Sequence, residues 1–247
     1  MKEETKKFSI LRVTEEDRSQ VEDVIVREFP LTIVLNNQEV VTLLCSPTKL
    51  EYLAIGYLWS EDLIKSKDEL KETKLDREAG VVRVETKQAE MPPYQGTGSD
   101  SLPGDTAEPQ TKISASQVFS PMENFIQRSQ VFKATGGVHG AALCDRDNLL
   151  IFSEDIGRHN AIDKIFGECL LKDIPTDNRL IITSGRVSSE ILLKVAKRNI
   201  PLLISRAAPT DLGLRLAADL GVTLIGFVRG KRMNVYTNSQ RVAADEG

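Results

Sequence analysis

The spacing of apolar positions in the first 90 residues predicts a β-hairpin, one helix and a further strand. The β-rich runs 23–35 and 39–45 flank Asn36-Asn37, a pair typical of a hairpin turn. Ser46-Pro47 predicts a helix start, because serine caps helix N-termini and proline suits the first helical position. The predicted helix has one apolar face, formed by Leu50, Leu53, Ala54, Tyr57 and Leu58. Residues 81–86 are expected to form a strand.

The second half of the chain alternates short apolar runs with amphipathic segments. The runs predict strands at residues 138–144, 149–152, 180–183, 201–205, 222–228 and 233–236. Helices are expected at residues 161–171, 188–198 and 209–220, and from a capping box at Ser120-Pro121-Met122-Glu123 through residue 131. This alternation predicts an α/β fold, a layered sheet with helices on both faces.

A segment of different composition, residues 88–112, separates the two halves. It contains four prolines and three glycines among many polar residues, with almost nothing apolar. Such a composition favours a surface loop or a linker. We therefore predict a smaller α+β domain in residues 1–112 and an α/β domain in residues 113–247.

The overall composition of the 247 residues is that of an ordinary globular protein, with 40% hydrophobic and 28% charged residues. It excludes collagen-like, coiled-coil and wholly disordered chains. The formal charge of −4 is uneven, because residues 1–112 carry 15 basic and 22 acidic side chains, and residues 113–247 carry 17 and 14. The three scattered cysteines predict no disulfide framework, and no apolar run is long enough to cross a bilayer. We expect a cytoplasmic protein without membrane insertion and without a nucleic-acid partner.

Three junctions between a predicted strand and the next helix share one composition. They occupy residues 153–160, 183–190 and 205–211, and they carry Arg158, Arg186 and Arg206. In open α/β sheets such junctions gather at the carboxyl ends of the strands, where arginines and helix N-termini form anion sites. Residues 229–232 form a fourth candidate, and an ordinary solvated turn explains them equally well. Together the junctions favour a ligand with more than one phosphate.

Two histidines and two carboxylates lie in or near these junctions. His139 and His159 both occur in glycine-punctuated segments, where the backbone can approach a ligand closely. Each histidine has three open roles: a neutral donor, a cation beside an anion, or a purely structural bond to a loop. Glu154 and Asp155 have two open roles. They can accept hydrogen bonds from ribose hydroxyls or from the N–H edge of a purine, or they can neutralise Arg158.

The spacing of the cysteines and histidines does not support a metal site. Neither C-x-x-C nor H-x-E occurs, which makes a zinc-dependent, deaminase-like hydrolase improbable. Cys169 lies on an apolar helix face and is expected to be buried and inert. Cys45 precedes the predicted helix N-terminus, which can lower a thiol pKa, so Cys45 is the first candidate for a reactive cysteine and Cys144 the second.

Several ordered segments between residues 22 and 242 resemble those of the formate dehydrogenase accessory family, FdhD/NarQ. In the first half, the helix at residues 46–61 is similar to the family's early helix. In the second half, the segments that carry the resemblance include Thr135-Gly136-Gly137-Val138-His139-Gly140, Glu154-Asp155-Ile156-Gly157-Arg158-His159-Asn160, Ser184-Gly185-Arg186, Ala208-Pro209-Thr210 and Phe227-Val228-Arg229-Gly230-Lys231-Arg232.

The resemblance implies a cytoplasmic homodimer that is required for formate dehydrogenase activity. It implies binding of the molybdenum cofactor as Mo-bis(molybdopterin guanine dinucleotide), and relay of sulfur from a cysteine desulfurase to that cofactor. It also implies a cytidine-deaminase-like fold for the larger domain, without zinc. The expected cofactor-binding residues combine the segment at 227–232 with the junctions: Phe227, Val228, Arg229, Gly230, Lys231, Arg232, Arg158, His159, Ser184, Gly185, Arg186, Arg206, Gly136, Gly137 and His139.

One departure from the family pattern bears on the reaction. Family members that carry sulfur have a C-x-x-C pair in a loop that falls here within residues 88–112, and this segment has no cysteine. A persulfide requires a thiolate, which serine or threonine does not replace. Three alternatives stay open: this chain transfers no sulfur, Cys45 or Cys144 carries it by another route, or the loop has been altered. The rival function is therefore a cofactor carrier without a catalytic step.

Overall fold

The computed structural model describes residues 3–88, 112–146 and 148–243. In the first of these ranges a two-stranded hairpin, β1 (Thr5–Val13) and β2 (Arg18–Val26), precedes a larger sheet. That sheet has the order β4-β3-β6-β5 and contains β3 (Phe29–Leu35), β4 (Gln38–Cys45), β5 (Leu70–Asp76) and β6 (Val81–Thr86). Helix α1 (Leu50–Ser60) packs on one face and closes a core of its own with the sheet.

The predicted hairpin is confirmed in strands β3 and β4, which pair in antiparallel fashion, whereas residues 23–26 of its first predicted run belong to β2. Asn36 and Asn37 in its turn have positive φ angles of 48° and 65°, as a tight hairpin turn demands. Strand β1 was not predicted. It pairs with β2 from Thr5↔Val26 to Val13↔Arg18, and exposed side chains lie on both faces of this ribbon. A strand without a buried face lacks the alternation on which sequence prediction depends.

The predicted start of α1 at Ser46 is wrong. The helix begins at Leu50, and Lys49 precedes it in a left-handed conformation (φ 53°) without a side-chain cap. Ser46 is engaged elsewhere, because its hydroxyl accepts a hydrogen bond from the N–H of Ile156 at 3.2 Å. A contact over 110 residues thus replaces the local cap that the sequence suggests.

A six-stranded mixed sheet forms the centre of the second half, in the order β13-β12-β11-β10-β8-β9. Its strands are β8 (His139–Cys144), β9 (Leu149–Asp155), β10 (Leu180–Thr183), β11 (Leu202–Ser205), β12 (Thr223–Arg229) and β13 (Arg232–Val235). Strand β8 is antiparallel to both neighbours, and β10, β11 and β12 are parallel, so β9 to β12 run in one direction. Two short strands, β7 (Ile113–Ser114) and β14 (Val242–Ala243), pair beside this sheet.

Helices cover both faces of this sheet, which confirms the predicted α/β class. Helix α2 (Ala115–Arg128) contributes Val118, Met122 and Phe125 to the core on one face. Helices α4 (Arg158–Leu171), α5 (Ser189–Ala196) and α6 (Asp211–Asp219) close the core on the other. Helix α3 (Gln130–Thr135) follows α2 after one residue, and single 3-10 turns occur at Lys67–Glu69 and Ser239–Arg241.

The predicted capping box at Ser120 is wrong. Helix α2 begins earlier, at a capping box formed by Ser114 and Gln117, and Pro121 lies inside it. The helix also ends before residue 131, since α3 is a separate helix. Both boxes fit the sequence pattern, and the apolar face that meets the sheet decides between them.

The two halves meet where α1 crosses α4. Gly56 and Gly167 lie at the crossing, and a Cβ on Gly56 would be 1.8 Å from the carbonyl oxygen of Asp163. The predicted boundary at residues 112 and 113 stays a prediction, and residues 89–111 of the predicted linker lie outside the described residues. No helix in the described ranges has the length and apolar character needed to span a membrane.

Candidate functional site

The strand directions bring all four arginine-bearing segments to one edge of the six-stranded sheet. Strands β9, β10, β11 and β12 end there, and β8, which runs in the opposite direction, begins there at His139. His139 is the partner of Asp155 in the β8–β9 ladder. The convergence expected for an open α/β sheet thus occurs, although the sheet is mixed rather than parallel.

Hydrogen bonds link each segment at this edge to the next. The N–H of Ser184 donates to the carbonyl of Gly140 at 3.1 Å, and the Ser184 hydroxyl accepts from the N–H of Gly140 at 3.0 Å. The Ser205 hydroxyl donates to the Gly185 carbonyl at 2.7 Å. The N–H of Phe227 donates to the Ala207 carbonyl at 3.2 Å. The edge is therefore a connected backbone framework.

Two arginines at this edge have guanidinium groups without a protein partner. The Nε atoms of Arg158 and Arg206 are buried, and neither side chain makes a hydrogen bond or an ion pair with the described residues. The Nε atoms of Arg179 and Arg198 are also buried without a partner, although Arg198 donates through its terminal nitrogen to the carbonyl of Trp59 and to Asp62. What distinguishes Arg158 and Arg206 is that both lie at the sheet edge where the junctions converge, and the oxygens of an anionic ligand there would satisfy their donors.

The remaining predicted cations are exposed at the same edge. Arg186 lies in the β10–α5 junction, and Arg229, Lys231 and Arg232 lie in the β12–β13 turn. Arg229 lies over the ring of Phe227 at 5.8 Å from its centroid. Phe227 has a φ of 51°, an unfavourable conformation for an aromatic residue, at a bulge in the ladder. Backbone strain of this kind persists where the surrounding structure imposes it and is frequent at functional sites.

A cavity of about 210 Å³ opens at this edge of the sheet. Its polar side includes Ser184 and Arg206, and its apolar side comes from α2 and α3. The lining residues are Phe125, Ile126, Ser129, Phe132, Lys133, Gly140, Ser184 and Arg206. Aromatic walls beside cationic groups suit a planar ring that carries an anion.

Both histidines lie at this edge, in surroundings that favour the neutral imidazole. Burial lowers the pKa of His139 and of His159, and the charge of Arg158 lowers both further. The Nδ1 atom of His139 is 3.3 Å from the Ser184 hydroxyl. The Nε2 atom of His159 approaches Glu190 at 3.2 Å without hydrogen-bond geometry. Of the three roles left open by the sequence, that of a cation is therefore disfavoured.

The two carboxylates in the β9–α4 junction have structural partners. Asp155 is fully buried, and its carboxylate lies 2.6 Å from Nζ of the equally buried Lys164. It also accepts from the N–H groups of Ser46 and Gly157 and from Asn160. Neither residue pairs with Arg158, so of the two roles left open for them the neutralisation of Arg158 does not occur. Glu154 instead accepts from the first N–H groups of α3, and burial raises its pKa, which these bonds oppose.

The glycines predicted at the site have distinct structural roles. Gly136 ends α3 with a φ of 64° and has open space around it. A Cβ on Gly137 would be 2.7 Å from Val26 of strand β2, so this glycine accommodates the N-terminal hairpin. A Cβ on Gly185 would be 2.9 Å from Cβ of Arg158. Gly185 therefore allows the Arg158 side chain to lie against the next junction.

The cysteines do not have the reactivity that the sequence suggested. Burial raises the pKa of Cys45, of Cys144 and of Cys169 to about 12, and all three thiols are free. Cys45 donates to the Phe29 carbonyl inside the N-terminal core, and α1 begins only at Leu50, five residues after it. Burial and a raised thiol pKa thus count against Cys45 and Cys144, the two candidates for a reactive cysteine. Among the described residues no cluster of three or more potential metal ligands occurs.

We expect these thiols to react slowly in the native protein. At pH 8 a thiol of pKa about 12 is ionised about a thousandfold less than a free cysteine, and its burial slows the reaction further. Alkylation by iodoacetamide, followed by mass spectrometry, should label none of the three within minutes under native conditions and all three in guanidinium chloride. Rapid native labelling of Cys45 would contradict this assignment.

The side of the cavity formed by α2 and α3 was not predicted. The helix expected through residue 131 includes Phe125 but not Phe132 or Lys133, which fall in no predicted element, and no cavity was expected beside them. A usable signal was Gly136-Gly137, since a glycine after Thr135 indicates a helix end there. That the predicted site residues contact a ligand remains a prediction.

A family model, named relatives and a solved structure all match nearly the whole of this chain. The model of the FdhD/NarQ family matches residues 26–243. The sulfur carrier protein FdhD of Bacillus subtilis (strain 168) is 42% identical over 94% of this chain and 95% of its own, and that of Staphylococcus haemolyticus is 38% identical over 96% and 97%. A crystal structure described as a putative formate dehydrogenase accessory protein, from Desulfotalea psychrophila, has a TM-score of 0.83 at 27% identity, over 97% of this chain and 100% of that one. The chain therefore belongs to the FdhD/NarQ family.

Proposed function

We propose that this protein is an accessory factor of formate dehydrogenase that binds Mo-bis(molybdopterin guanine dinucleotide) at the arginine-bearing edge of its six-stranded sheet. The names of its relatives, sulfur carrier protein and formate dehydrogenase accessory protein, support the general role. The observation that carries the proposal is that the guanidinium groups of Arg158 and Arg206 have no partner among the described residues at this edge, where Arg206 lines a cavity of about 210 Å³.

The residues at the edge fit the chemistry of this cofactor. Each nucleotide arm contains a pyrophosphate, which guanidinium groups bind through paired hydrogen bonds. Arg158 and Arg206 are the inner phosphate ligands of the proposal, and Arg186, Arg229 and Arg232 are the outer ones. The aromatic residues in and beside the cavity suit the planar rings of guanine or pterin. The helix-covered sheet is, in this proposal, the cytidine-deaminase-like domain of a cytoplasmic homodimer.

The best-supported role for this chain is that of a carrier, which holds the cofactor without a covalent step. All three cysteines are buried with a raised thiol pKa, and the sequence has no C-x-x-C pair. The second candidate is sulfur relay from a cysteine desulfurase, which the names of the relatives favour. Such a relay requires a thiolate to take the outer sulfur as a persulfide and hand it on.

Nucleotide binding tests the cofactor site directly. We expect GDP to bind the wild-type protein, and Arg206→Ala and Arg158→Ala to weaken binding at least about tenfold each, because each removes a charged donor from a phosphate. Isothermal titration calorimetry measures this. Arg215→Ala is the matched control, since Arg215 lies exposed on α6, paired with Asp211. A wild-type protein that does not bind GDP would remove the proposal.

Replacement of all three cysteines by serine separates carrier from relay. If the protein is a carrier, the triple variant still supports formate dehydrogenase activation in a strain that lacks the native gene. If it relays sulfur, incubation with a cysteine desulfurase and cysteine labels the wild type with persulfide, and the triple variant loses activation. Activation lost together with a labelled native cysteine would overturn the carrier assignment.

A further inference from the structure

Helix α3 forms one side of the cavity and has little stability of its own. It spans only Gln130–Thr135, and helices of this length do not persist alone in water. Phe132 and Lys133, which line the cavity, both belong to it. The position of this short helix therefore decides the width of the cavity opposite Ser184 and Arg206.

The side chain that holds the start of α3 comes from strand β9. Ser129 precedes the helix without a side-chain cap, because its hydroxyl donates back to the Phe125 carbonyl. The Glu154 carboxylate takes that place. Its two oxygens accept from the N–H groups of Val131 at 3.2 Å and Phe132 at 3.0 Å. A carboxylate at a helix N-terminus satisfies free donors and complements the helix dipole.

We propose that Glu154 is a positioning residue, which fixes α3 and thereby the ring-binding wall of the cavity. This inference rests on the proposed function. Glu154 lies on β9 one residue before Asp155, which Lys164 anchors in the interior. A rigid strand of the sheet thus sets the place of a weak helix. Glu154 does not line the cavity and lies instead in a separate cleft, with Glu4, Lys49 and Val131.

The arrangement divides recognition of a nucleotide between two supports. In this proposal the phosphates contact arginines of the junctions, whose backbones are tied to one another by hydrogen bonds, and the one junction side chain bonded to the start of α3 is Glu154 itself. The planar ring contacts Phe125 and Phe132, and only Phe132 depends on α3 for its place. Loss of the Glu154 carboxylate is therefore expected to weaken binding of the ring and to leave binding of the phosphates nearly unchanged. A purely structural role would change both equally.

Comparison of GDP with inorganic pyrophosphate tests this division. We expect Glu154→Ala to weaken GDP binding about tenfold, the scale of a lost helix cap, and to change pyrophosphate binding less than about twofold. Glu154→Gln, which keeps one acceptor oxygen, should give an intermediate loss for GDP. Asp76→Ala is the matched control, because Asp76 also accepts from two backbone N–H groups, those of Glu78 and Ala79, far from the cavity.

The outcomes separate this inference from the proposed function. A wild-type protein that binds neither probe removes both. Wild-type binding combined with equal weakening of GDP and pyrophosphate, or with no change of either, overturns the role of Glu154 alone. If Glu154→Ala does not fold, the ratio of the two affinities in Glu154→Gln decides, and an unchanged ratio there overturns the inference.

Discussion

Replacing Asp155 by alanine is expected to lower the free energy of unfolding by about 3–5 kcal/mol, the cost of leaving one buried charge without its partner. The Lys164 ammonium that would remain is fully buried, and its other contacts are the carbonyls of Ser46 and Glu154 at 3.3 Å each. Asp155 also binds the N–H of Ser46, which follows strand β4, and the N–H of Gly157, which precedes α4. The loss thus loosens the contact between the two halves and the junction that carries Arg158.

Urea unfolding followed by circular dichroism measures the Asp155 effect. Lys7→Ala provides the control, because the Lys7–Glu22 pair is exposed and such pairs contribute about 0–1 kcal/mol. The double replacement Asp155→Asn with Lys164→Met should recover part of the loss, since it removes both charges. Equal stability of Asp155→Ala and the Lys7 control would show that the buried pair does not matter for stability.

Replacing Gly56 by alanine is expected to destabilise the protein by about 3 kcal/mol or more, against the helix-propensity gain of about 1 kcal/mol for this change. The added Cβ would overlap the backbone of α4, 1.8 Å from the Asp163 carbonyl oxygen. Gly167→Ala should behave alike, with its Cβ 1.9 Å from the Tyr52 carbonyl oxygen. Backbone atoms cannot move aside as a side-chain end can, so the two helices must separate.

A third glycine separates this steric effect from glycine loss in general. A Cβ at Gly136 would have open space around it. The Gly136→Ala variant is therefore expected to lose only the free energy needed to hold alanine at a positive φ, about 1–2 kcal/mol. The thermal midpoint of all three variants, measured by scanning calorimetry, should rank Gly136→Ala well above the other two. A Gly56→Ala protein as stable as the wild type would mean that α1 and α4 lie farther apart than described.

Most of the second half was predictable, because each of its elements has a strong local pattern. Strand β10 matches its predicted bounds of 180–183, β8 and β11 begin one residue later than predicted, and β12 is shifted by one residue at both ends. Ser188 and Thr210 cap α5 and α6, so these helices begin one and two residues after the predicted starts. The convergence of the arginine-bearing junctions followed from the alternation of strands and helices alone.

The predictions that the structure contradicts concern residues whose partners are distant in sequence. Ser46 and Glu154 have the composition of a helix cap and of a ligand-binding carboxylate, and each is engaged instead by a segment more than 20 residues away. The reactivity of Cys45 was inferred from a helix predicted to begin at Ser46. That helix begins at Leu50, five residues after Cys45. Local patterns hold no information about such partners.

The order of strands and helices, the apolar faces and the gathering of positive charge at one sheet edge were determined by the sequence by itself, because short-range periodicity and chain direction encode them. Which side chains remain free to meet a ligand was decided only by the tertiary structure. All three thiols are buried, Asp155 is paired with Lys164, and Glu154 accepts hydrogen bonds from the start of α3. The guanidinium groups of Arg158 and Arg206, by contrast, have no partner among the described residues. Pairing and solvation depend on neighbours that packing brings together, and these are the quantities that set chemical reactivity.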